Sequence, residues 1–123
     1  MRQYKCSVEV LPDVFCIRLP LPGRKPGPVN VYLFKGRKNT LIDTGMAQTA
    51  GILKKALAEH HLGFADIDTI IITHGHPEHF GAARKIVLAG RAIVMAHEGD
   101  RTFIEKGYGI SAKQYKKFFR ITG

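Results

Sequence analysis

Ile70, Ile71 and Ile72 stand in a row. The residues that follow them, Thr73-His74-Gly75-His76-Pro77-Glu78-His79, hold three imidazoles and a carboxylate. This junction constrains the fold more than any other feature. A short β-branched run suits a strand buried on both faces, the setting of a sheet with parallel neighbours. Pro77 and Glu78 then open a helix, since proline fits the first helical turn and a carboxylate favours its positive end. A polar loop is thus expected at the C-terminal end of a buried strand, with a helix carrying the chain away.

The remaining segments extend this pattern. Residues 3–9 alternate weakly and residues 14–19 carry Val, Phe and Ile, with Leu11-Pro12-Asp13 as the turn of a β-hairpin. Pro20, Pro22, Pro26 and Pro28, with Gly23 and Gly27, mark an extended loop. Strands are expected over 29–34 and 39–42, stopped by Asp43-Thr44-Gly45. Ile52, Leu53, Ala56 and Leu57 make one helical face within residues 49–61, and Gly63 sits where a C-terminal cap would. The helix begun at Pro77 buries Phe80, Ala83 and Val87 and stops at Gly90. A strand over 92–96 and a brief helix over 100–106 follow. Ser111-Ala112-Lys113-Gln114 reads as a capping box, with Tyr115, Phe118 and Phe119 as the apolar stripe of a last helix. The order β-β-β-β-α-β-α-β-α-α places the chain in the α/β class, a mixed sheet with helices on one face, folded as a single domain over residues 1–123.

A chain of 123 residues and 13.7 kDa is the size of one domain. Hydrophobic residues at 45% and charged residues at 24% exclude a disordered polymer. No apolar run approaches membrane-spanning length. Two cysteines, Cys6 and Cys16, are too few for a disulfide scaffold or a thiolate zinc site, and fit a cytoplasmic protein with free thiols. The net charge of +9 attracts phosphates, nucleic acid or acidic surfaces. The basic residues are scattered, however, with Lys113, Lys116, Lys117 and Arg120 the densest group, and no zinc-finger spacing or aromatic RNA-binding run accompanies them. Nucleic acid binding therefore stays a weakly supported alternative.

The histidine-rich loop carries the chemistry. Imidazole nitrogen and carboxylate oxygen are ligands for Zn²⁺ and similar borderline ions. His74 and His76, separated by one small residue, can point at one ion, with Gly75 giving the backbone freedom to do so. Glu78 and His79 on the first helical turn face a neighbouring position, which suits two adjacent metal sites better than one. His60 and His61 at a helix end favour the helix dipole, and His97 after a strand reads as filling more than as a ligand.

Leu41-Ile42-Asp43-Thr44-Gly45, followed by Thr73 to His79 and then Phe80-Gly81, resembles the metallo-β-lactamase superfamily of metal-dependent hydrolases. The likeness spans roughly residues 8 to 100 and includes the strand Val29-Asn30-Val31-Tyr32-Leu33. It implies half of a four-layer αβ/βα sandwich, the N-terminal half. It implies that His74 and His76 bind a first metal, that Glu78 and His79 contribute to a second, and that Asp43 orients the loop. Zinc is the expected ion, one or two per site, and Glu78 and Asp43 are the residues expected to serve catalysis. Glu78 departs from the aspartate usual at its position, and His97 and Asp100 do not fall where later family ligands would. The implied activity is attack of metal-activated water on an ester, thioester, lactam or phosphodiester by a truncated chain, with a small-molecule substrate. A non-catalytic metal-binding remnant or assembly module, and a nucleic-acid-processing phosphodiesterase relative, are the alternatives. Half a sandwich also exposes a sheet face, so the chain is expected to dimerise or associate through it.

Overall fold

In the computed structural model, which describes residues 6–21, 28–108 and 115–117, hydrogen bonding lays seven strands side by side in chain order. β1 (Ser7–Leu11), β2 (Val14–Leu19), β3 (Val29–Phe34) and β4 (Thr40–Ile42) pair antiparallel. β5 (Thr69–Ile71), β6 (Ile93–Ala96) and β7 (Tyr115–Lys117) then add in parallel. Antiparallel neighbours can be joined by a tight turn, whereas parallel ones need a crossover. Pro12 and Asp13 supply the first kind of link, with Asp13 at φ 61, a left-handed setting that aspartate tolerates. α1 (Ala50–Ala58) links β4 to β5, α2 (Pro77–Phe80) and α3 (Ala83–Ala89) link β5 to β6, and α4 (Arg101–Tyr108) links β6 to β7.

Strand alternation sorts the two faces of the sheet. Ile17, Val31, Leu33, Leu41, Ile70 and Val94 lie on one face and are fully buried. Leu53, Ala56 and Leu57 of α1, Ile86 and Val87 of α3, and Ile104 of α4 complete the same core. On the opposite face one register row runs over β1 to β6 through Val8, Cys16, Tyr32, Ile42, Ile71 and Met95, with Lys116 as the next register position in β7. Val8 is exposed, and Cys16, Tyr32, Ile42, Ile71 and Met95 are half-buried. The isoleucine strand is accordingly buried on one face only, with Ile70 and Ile72 inside and Ile71 on the open side.

The structure revises four further expectations. The helix expected from Pro77 to Gly90 is broken at Gly81 and Ala82, because the Ala82 N–H turns to Thr44 Oγ1 at 3.0 Å and the Gly45 carbonyl at 3.2 Å. Gly63 is extended, and His61 takes the left-handed cap position at φ 63 instead. Its N–H reaches the Ala58 carbonyl and the Leu62 N–H reaches Leu57, both at 3.0 Å, which closes a Schellman motif. Gly75 has no left-handed φ, so its role is not backbone freedom. Finally, Tyr115 to Lys117 form β7 beside β6 where a helix was expected. Pairing with an open sheet edge outweighs the helical pattern there. The capping box at 111–114, Phe118 and Phe119 lie outside the described residues, as do residues 22–27 of the proline-rich loop.

Candidate metal centre

Parallel order brings the carboxyl ends of β4, β5 and β6 to one edge of the sheet, the usual ligand edge of such sheets. Asp43, the loop from Thr73 to His79, and the segment from His97 to Asp100 all emerge there. Asp43 is buried, sits at φ 65 and donates its own N–H to the Ile71 carbonyl at 2.7 Å. Its Oδ1 accepts the Thr73 N–H at 2.8 Å. Its Oδ2 accepts the Thr73 hydroxyl at 2.7 Å and pairs with His79 Nδ1 at 2.8 Å.

These bonds decide two tautomers. An ionised carboxylate only accepts, so His79 Nδ1 must carry the proton. Thr73 has one hydroxyl proton and gives it to Asp43, so at 3.1 Å from His74 Nδ1 it acts as acceptor, and His74 Nδ1 is protonated too. With the proton held on Nδ1, the neutral form of either ring has its lone pair on Nε2, the nitrogen free to bind a metal. The neighbouring Asp-Thr-Gly turn fastens the helix end of the loop. The Thr44 N–H reaches the His79 carbonyl at 2.7 Å, and Gly81 packs so close that an added Cβ would lie 2.7 Å from Ala47 N and 2.8 Å from Met46 Cα.

The ring of His79 lies 3.9 Å from that of His74 between centroids, and His76 meets His74 edge-on at 4.8 Å. Three expected ligands thus form one cluster. Glu78, half-buried on α2, lines a notch of about 150 Å³ with Leu21, Met46 and Pro77. His60 lies elsewhere: its Nε2 is 2.8 Å from Ser7 Oγ, its ring packs 3.9 Å from Phe15, and burial pushes its pKa down. His97 is at the ligand edge, where its Nδ1 accepts the Gly99 N–H at 2.9 Å. Thr73 was missed as a functional residue in the sequence, although its place directly before the first histidine was a usable signal.

Among the described residues, no three His, Cys, Asp or Glu side chains converge on one point as a metal cage. The imidazoles pack on each other, and a bound ion would have to reorient them. The donor chemistry nevertheless fits a borderline divalent ion: three adjacent imidazoles, two of them with Nδ1 engaged in hydrogen bonds that leave Nε2 outward.

A family model, that of the metallo-beta-lactamase superfamily, matches residues 24–122. The chain belongs to this superfamily. Among curated members, the probable metallo-hydrolase YqjP of Bacillus subtilis (strain 168) is 34% identical over 110 residues, covering 88% of this chain and 33% of YqjP. A metallo-beta-lactamase family protein from Thermus thermophilus is 37% identical with a TM-score of 0.65, over 73% of this chain and 30% of that one. The flavodiiron protein of Giardia intestinalis shares the fold alone, at 14% identity and a TM-score of 0.79, over 97% of this chain and 31% of its own. This superfamily chain spans a quarter to a third of the length of the curated relatives it matches. It corresponds to the N-terminal portion of the superfamily fold. Membership is consistent with a metallo-hydrolase, and members bind divalent metals. Among the described residues no helix is long and apolar enough to cross a membrane.

Proposed function

We propose that the chain forms the metal-binding portion of a metallo-hydrolase that cleaves an ester, thioester, lactam or phosphodiester. His74 and His76 hold a first ion, zinc by donor chemistry, and His79 and Glu78 contribute to a second position. The observation that carries this reading is the hydrogen-bond chain from Asp43 through Thr73 and His79, which leaves Nε2 of His74 and His79 available. When bound, a divalent ion supplies Lewis acidity and a water acidified toward neutrality. Asp43 orients His79 and, through Thr73, His74. Glu78 offers a carboxylate beside the apolar notch, which supports a small substrate with an apolar group over a polymer. Free Cys6 and Cys16 fit a reducing, cytoplasmic setting. The half-buried row on the open sheet face supports association with another chain.

Elemental analysis of protein purified without chelators tests the reading. The chain is expected to carry a divalent transition ion, and His74→Ala with His76→Ala is expected to lose it. A metal-free wild type, or a double variant that keeps its ion, would overturn the proposal. Turnover of ester or phosphodiester substrates is the second readout, and chelation is expected to abolish it.

A further inference from the structure

Gly75 separates the two histidines of the loop, and what surrounds it is specific. A Cβ built on Gly75 would lie 2.8 Å from Asp100 Oδ1, 2.9 Å from its Cγ and 3.0 Å from its Cβ. With no left-handed φ at this position, the close approach of Asp100 is what requires glycine. Asp100 ends the short 3-10 turn Glu98–Asp100 after β6, anchored by its own N–H on the His97 carbonyl at 2.9 Å. Among the described residues its carboxylate has no hydrogen-bond or ion-pair partner. The adjoining Arg101 guanidinium reaches Glu105 at 2.9 Å and Glu98 at 3.8 Å. Asp43, by contrast, spends both oxygens on the loop.

We propose that Asp100 is a second positioning carboxylate of the metal loop. Packed on Gly75, it sets the path of the chain between His74 and His76, and its negative charge favours a divalent cation held by those imidazoles. Asp43 acts on the loop from one strand end and Asp100 from the next but one. This inference rests on the metal-binding reading above.

Cobalt and zinc titrations of the 123-residue chain against a chromophoric chelator test it. Asp100→Asn keeps the shape of the side chain and removes its charge. It is expected to weaken zinc binding about tenfold or more, at unchanged circular dichroism, and to alter the visible spectrum of bound cobalt. Asp100→Ser carries the same expectation, so a folding defect in one variant does not decide the question. Gly75→Ala is expected to lower the melting temperature, and Asp100→Ala in the same chain to restore part of it. Wild-type zinc affinity in a folded Asp100→Asn protein would overturn the proposal while leaving the metal site standing. A wild-type chain that binds neither ion would overturn both.

Discussion

Asp43 concentrates more of the loop's order than any other side chain. Two oxygens receive three donors, and those donors fix the tautomers of two histidines. Asp43→Asn would present an amide N–H₂ to the Thr73 hydroxyl and His79 Nδ1, or else to the Thr73 N–H, and no orientation satisfies all three while both histidines keep their tautomers. Stability is expected to fall by about 1–3 kcal/mol in denaturant titrations. Zinc affinity is expected to fall roughly 10- to 100-fold by chelator competition, because the ring of His79 is freed to take the other tautomer. At this scale the candidate ligands were legible in the sequence, since His74, His76, Glu78 and His79 are close neighbours in the chain, and the structure brings the three imidazoles together. The work of Thr73 was not, because its hydroxyl meets Asp43 across 30 residues of chain. Only the pairing of β4 with β5 reveals it.

Elements are held at their ends by contacts of the same long range. The Schellman end of α1 places His61 at φ 63, which costs a side chain more than it costs glycine. His61→Gly is expected to stabilise the chain by about 0.5–1 kcal/mol, read as a raised melting temperature. Its neighbour His60 ties that end to β1 through Ser7. Burial lowers the folded pKa of His60 below its ordinary value, with Lys35 and His61 in the same direction and Glu59 and Glu9 opposing. The unfolded chain then binds more protons below about pH 6.5, so this contribution is whole above that pH and fades as pH falls through the folded pKa. Melting temperatures measured from about pH 7.5 to 5.5 should drop less in His60→Gln than in wild type. Gly81 closes the break between α2 and α3, with backbone atoms of Met46 and Ala47 where a Cβ would go. Gly81→Ala is expected to cost about 1–3 kcal/mol by chemical denaturation. Strands β2 to β6 were legible from period and turn residues. This helix break was not, because it depends on Thr44 and Gly45, far back in the chain. Nor was β7, because Tyr115 with Phe118 and Phe119 suits a helix as well as a strand, and only the edge of β6 decides between them.

At the scale of the molecule, helices seal one sheet face, and among the described residues none covers the other. Leu41, Ile70 and Val94 are fully buried on the helix side, while their strand neighbours Ile42, Ile71 and Met95 stay half-buried on the other. Phe34 at 42% and Val8 at 56% exposure extend the apolar area toward the hairpin. Such a surface lowers its free energy by removing about 25 cal/mol for each Å² of apolar area taken from water, and a row six strands wide gives that term room. Arg18 and Asn30 on the same face set a polar border. The chain is therefore expected to associate through this face, with Ile71 near its centre. Light scattering behind size exclusion at about 100 μM, in the range where exposed apolar surface drives assembly, should show a dimer or larger species. Ile71→Lys puts a charge into the middle of the row without touching the helix-side core, so it should shift the chain to monomer with its circular dichroism unchanged. A wild-type monomer at that concentration would mean that the face is covered within the chain itself. Retained assembly of a folded Ile71→Lys protein would move the interface elsewhere, to the exposed edge of β1 or to the surface around Leu88 and Phe103, two further large apolar side chains left in water.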